Sequence, residues 1–88
     1  MYTPNELNHI SWQCRRGMKE LDILIGTFFE EDFLNQPEDI QRNFARLLEE
    51  SDLMLFRWLL RGETPEDEGY GRVIATILEC HEKRLARP

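Results

Sequence analysis

Eighty-eight residues with 41% apolar content and five Phe suffice for one hydrophobic core and leave no room for a second domain. Eleven cations against 17 carboxylates give a net charge of −6. That balance opposes binding to nucleic-acid phosphates or anionic lipid.

Thr3-Pro4-Asn5-Glu6 predicts a helix start, with Thr3 as N-cap, Pro4 in the first turn and Glu6 closing a capping box. Leu7, Ile10 and Cys14 define the buried face of this first helix. The helix is expected to end near Arg16, with Gly17 left-handed after it. Leu21, Leu24, Ile25, Phe28 and Phe29 form the strongest amphipathic pattern, predicting a second helix that stops around Leu34-Asn35. Pro37 is expected to start a third helix, flanked by Asn35 or Gln36 as cap, with Ile40, Phe44, Leu47 and Leu48 as its core stripe. Ser51-Asp52 looks like a new cap, so a kink or break is expected there. Leu53 to Arg61 is apolar nearly all round and predicts a central, covered fourth helix ended by Gly62. Thr64 to Asp67 repeats the start signal as a single turn, and Gly69-Tyr70-Gly71 predicts a loop. A fifth helix is expected from about Arg72 to Ala86, with Val73, Ile74, Ile77, Leu78 and His81 inside. No segment alternates with the period of a strand. The expected fold is all-α, a five-helix bundle with short connections forming a single domain over residues 1–88.

No apolar run reaches the roughly 20 residues needed to cross a bilayer, and Met1 to Ile10 lacks the pattern of a secretory signal. A cytoplasmic location is expected, with Cys14 and Cys80 as free thiols. Catalytic chemistry finds little support. His9, Cys14, Cys80 and His81 are ligand types, but their spacing is not that of a zinc site. Cys14 lies on an inner face, where a thiol is inert. Glu30 and Glu31 are adjacent and solvated. No catalytic residue and no metal site is expected.

The corner between the first two helices carries the densest charge: Arg15, Arg16, Gly17, Met18, Lys19, Glu20, Leu21, Asp22. A structural reading makes the arginines complements of the helix-one dipole, Gly17 a stop, and Arg16 with Glu20 an ion pair across the turn. A functional reading makes the corner a recognition surface, with Met18 and Trp12 adding apolar contact. The two are compatible.

The run Arg16-Gly17-Met18-Lys19-Glu20-Leu21-Asp22 resembles the RGxxExD signature of the succinate dehydrogenase flavinylation factors, the SdhE or YgfY proteins of bacteria. Leu24, Phe28-Phe29, Phe44, Leu47-Leu48, Asp52-Leu53 and Trp58-Leu59 extend the resemblance over nearly the whole chain. It implies an assembly factor, not an enzyme. Its partner would be the flavoprotein subunit of succinate dehydrogenase and, in bacteria, that of fumarate reductase. It would promote covalent attachment of FAD to a histidine of that subunit and hold no cofactor permanently itself. The resemblance carries Arg16, Gly17 and Glu20 over as partner contacts, with Arg15, Met18 and Asp22 beside them. Whether Asp22 is a contact or a capping partner stays open, as does the alternative of an antitoxin-like or regulatory binding module. A monomer is expected.

Overall fold

The computed structural model describes residues 2–87; Met1 and Pro88, the ends of the expected domain, lie outside the described residues. Five α-helices follow one another: α1 (Pro4–Gln13), α2 (Lys19–Glu31), α3 (Glu38–Leu47), α4 (Asp52–Leu59) and α5 (Glu68–Leu85). A short 3₁₀ turn, Phe33–Asn35, joins α2 to α3. No described residue is in a strand. The Cα radius of gyration is 12.2 Å, close to the ~12 Å of a folded chain of this length.

The all-α expectation holds, and so does the opening cap. Thr3 Oγ1 accepts from the Glu6 N–H at 3.2 Å, and the Thr3 N–H donates to Glu6 Oε1 at 2.8 Å. The predicted α2 stripe faces inward, with Leu21, Leu24, Ile25 and Phe28 buried and Phe29 half-buried. Phe28, Phe33 and Phe44 are wholly buried, and both Phe28 and Phe33 meet Phe44 in tilted pairs at 5.1 and 5.4 Å. Truncating any of the three would remove about 3–5 kcal/mol. The 3₁₀ turn, which the sequence pattern does not announce, tightens the chain after α2 and turns Phe33 into this cluster.

Five boundaries differ from expectation, among them that of α2, which ends at Glu31 rather than around Leu34-Asn35. α1 stops at Gln13 rather than near Arg16, because Arg16 is drawn away to other elements. α3 begins at Glu38 with Pro37 in the cap position, and neither Asn35 nor Gln36 caps it. α4 starts on the expected break, where Ser51 Oγ accepts from the Met54 N–H, but it ends at Leu59 and is not covered all round: Leu53 is 64% exposed. Gly62 follows in the left-handed conformation at φ +73°.

The largest difference is at α5. The expected turn at Thr64 to Asp67 is irregular, and the glycine-flanked loop at 69–71 is the first turn of the helix. Asp67 is the cap, its Oδ1 accepting from the Tyr70 N–H at 3.0 Å while its Oδ2 pairs with Arg46 Nη2 at 2.7 Å. Tyr70 packs on Trp58 at 5.6 Å, lies under the Arg46 guanidinium, and donates its hydroxyl to Glu50. A Cβ on Gly69 would stand 2.6 Å from Asn43 Oδ1. Glycine is there for close approach of α5 to α3, not for flexibility. Gly69→Ala is expected to cost about 1–3 kcal/mol by pushing the buried Asn43 off Arg46, measurable by urea denaturation.

Candidate functional site

The corner is built from residue 14 onward. Cys14 caps α1 with its side chain buried, so the chain must leave the core surface at Arg15. Gly17 adopts φ +84°, which reverses the direction, and Met18, extended and half-buried, delivers the chain to Lys19 at the start of α2.

Arg16 holds this path in place. Its side chain is only 13% exposed. Nε donates to Asp52 Oδ1 at 2.7 Å, Nη1 to the Gln13 and Leu48 carbonyls at 2.8 and 2.9 Å, and Nη2 to the Glu50 carbonyl at 2.7 Å. The α3 C-terminus has orphaned carbonyls and the negative end of a dipole. One planar guanidinium satisfies acceptors there, at the end of α1, and on the first residue of α4 together. The Arg16 N–H in turn donates to Asp22 Oδ1 at 2.6 Å, tying the corner to the first turn of α2.

This corrects the expected ion pair between Arg16 and Glu20: Arg16 pairs with Asp52 instead. Asp22, left open by the sequence, serves as acceptor for the corner backbone. Arg15 is exposed and its guanidinium lies 5.1 Å from the Trp12 ring centroid. Glu20 is exposed and makes no hydrogen bond or ion pair among the described residues. The six corner residues therefore divide. Arg16 and Asp22 are engaged within the fold, whereas Arg15, Gly17, Glu20 and part of Met18 face outward. Asp52 was missed as part of this corner. Its only sequence signal was its place in the family resemblance, where a helix cap accounted for it equally well.

The described residues offer no cluster of three or more His, Cys, Asp or Glu side chains that could hold a metal. Both cysteines are free. Burial pushes the Cys14 thiol up to about 12, against a smaller opposing pull from Arg16, and burial also raises Cys80. At pH 8 Cys14 should therefore resist iodoacetamide in the folded protein and react only after unfolding, as mass spectrometry of the alkylated chain would show. A groove of about 490 Å³ between α1 and α3 is lined by Tyr2, Glu6, His9, Gln13 and Glu49 among others. Its lining holds two carboxylates, Glu6 and Glu49, and no arginine or lysine, a set that opposes a dinucleotide diphosphate. No helix among the described residues is long and apolar enough to cross a membrane.

A five-helix protein clamped about an RGxxExD corner belongs to the class of small helical assembly factors. Within that class, the chain belongs to the family described as the flavinator of succinate dehydrogenase, whose model matches residues 8–81 and so takes in the corner, α2, α3, α4 and most of α5. It is 44% identical over 75 residues to the FAD assembly factor SdhE of Serratia sp., covering 85% of each chain. It is 45% identical over 78 residues to the protein of the same name from Vibrio parahaemolyticus, covering 89% of this chain and 91% of that one. The solution structure of a UPF0350 protein superposes with a TM-score of 0.78 at 38% identity, covering 97% of this chain and 90% of the other.

Proposed function

We propose that this chain is an FAD assembly factor that binds the flavoprotein subunit of succinate dehydrogenase and promotes covalent attachment of FAD to it. It acts in the cytoplasm as a monomer and a single domain, and it serves the fumarate reductase flavoprotein as well. FAD stays with the flavoprotein, and this chain contributes shape and charge but no reactive group. Arg15, Gly17, Met18 and Glu20 meet the partner, and Arg16 and Asp22 stand behind them as struts.

The observation that carries this reading is the division of the corner in a chain of this family: Arg16 is engaged four ways by its guanidinium, while Glu20 is exposed and has no polar partner among the described residues. A fixed scaffold presenting a free carboxylate suits recognition of a cation on the partner. Binding one conformation of the immature subunit better than others raises the population of that conformation. Holding the flavin and its attachment residue in a near-attack arrangement can lower the barrier by several kcal/mol, within the roughly 7–11 kcal/mol available from proximity. No nucleophile or base on this chain is required for that.

Glu20→Lys tests the reading. Glu20 makes no hydrogen bond or ion pair among the described residues, but it lies in the first turn of α2, so reversing its charge should cost about 1 kcal/mol of stability through the helix dipole. Covalent flavin on the co-expressed flavoprotein, read by in-gel fluorescence after denaturation, should be lost. Normal fluorescence with a folded variant would remove Glu20 from the interface. A pull-down with this chain that recovers a small toxin in place of a flavoprotein would favour the antitoxin reading.

A further inference from the structure

Glu20 stands at the rim of a second feature. Where α2, the end of α4 and α5 meet, Ile23, Leu24, Leu59, Leu60 and Leu78 line an open groove of about 310 Å³, with Glu20 and His81 at its edge. Leu24 and Leu59 are buried and form the floor, while Ile23 is 49% and Leu60 37% exposed. Ile23 follows Glu20 by three residues on α2, so the two side chains project from the same side of the helix. A single exposed leucine is ordinary on a protein surface. Here two aliphatic side chains stand over a concave leucine floor beside an unpaired carboxylate. An apolar centre with a charged rim is the anatomy of a binding site for another protein.

We propose that this groove is the apolar half of the flavoprotein-binding surface: it receives one large apolar side chain of the flavoprotein subunit, carried next to a lysine or arginine that pairs with Glu20. The proposal rests on Glu20 being a partner contact, as stated above, and adds the chemistry of what the partner presents. Charge complementarity selects this occupant. A rim carboxylate on a chain of net charge −6 repels an acidic segment and an anionic lipid surface. A second copy of this chain would bring −6 against −6, and the isologous contact of a two-fold dimer would place the same acidic rim on both sides. A basic and apolar segment of the flavoprotein meets neither penalty.

The test uses the purified full chain and the apo-flavoprotein subunit, with affinity measured by isothermal titration calorimetry. Ile23→Gln and Leu60→Gln keep helix-compatible side chains while removing the aliphatic surface, and circular dichroism checks their folding. Each is expected to weaken binding about ten- to a hundredfold and to lower covalent flavin accordingly. Leu85→Gln, an exposed leucine outside the groove, should bind as the wild type does. Wild-type affinity in both groove variants would overturn the groove while leaving the flavoprotein reading intact. Failure of the wild-type chain itself to bind would overturn both. A wild-type dimer in sedimentation that the groove variants dissociate would assign the groove to self-association and overturn the proposal.

Discussion

Gly17→Arg is expected to leave a folded helical protein that supports no covalent flavinylation. Gly17 has φ +84°, and a Cβ there would meet nothing within 4 Å. The fold therefore bears only the backbone cost of a left-handed L-residue, about 1–2 kcal/mol. A chain of 88 residues has roughly 4–13 kcal/mol in hand, so helical circular dichroism should persist with a melting temperature lower by about 4–15 °C. The interface is affected differently. The new side chain would stand on the outward turn of the corner, adding a third consecutive cation at the proposed partner contact. Gly17→Ala separates the two effects, because it imposes the same strain without the bulk. It should retain most of the covalent flavin that Gly17→Arg loses. Equal loss in both variants would place the defect in the backbone rather than in the contact.

Arg16→Ala is expected to act on stability first, by about 2–4 kcal/mol in urea denaturation. The substitution frees carbonyls of Leu48 and Glu50 at the end of α3, the Gln13 carbonyl at the end of α1, and the Asp52 carboxylate. Asp52 is nearly half exposed, so water recovers part of what it loses, and the full penalty of a broken buried ion pair does not apply. Arg16→Lys should recover little, since an ammonium cannot reproduce the planar fork. Asp52→Asn should cost about 1 kcal/mol, and a double-mutant cycle with Arg16→Ala should show coupling between the two. Flavinylation by Arg16→Ala should fall with the folded fraction and recover when the protein is assayed cold. A stability change within about 0.5 kcal/mol would contradict the clamp. The contrast with Glu20→Lys, which should abolish function at a stability cost of only about 1 kcal/mol, separates strut from contact within one signature.

What the sequence could reveal depended on the range of the interactions. The α2 stripe was legible because five apolar residues at helical spacing admit one inward face, and four of them are buried. Gly17 and Gly62 were legible as stops because left-handed backbone selects glycine locally, and both have positive φ. Arg16 was not legible in the same way. Its carboxylate partner lies 36 residues along the chain, and reasoning from neighbours chose Glu20, one turn away. Glycines misled at the start of α5, where Gly69 and Gly71 carry a loop signal that the Asp67 cap and the packing of Tyr70 on Trp58 override. In α4 an almost wholly apolar helix suggested complete burial, but at eight residues it is too short to be enclosed on every side, and Leu53 faces out. The groove beside Glu20 could not be read at all, since it joins side chains from α2, α4 and α5 that only the fold brings together.

The most direct measurement is the covalent FAD content of a succinate dehydrogenase flavoprotein subunit produced in cells that lack their own assembly factor, with and without this chain. In-gel flavin fluorescence should be close to background without the chain and rise to full occupancy with it. Cys80→Ser, which removes the more accessible thiol, should restore occupancy as well as the wild type does. Equal fluorescence in the presence and absence of the chain would contradict the account.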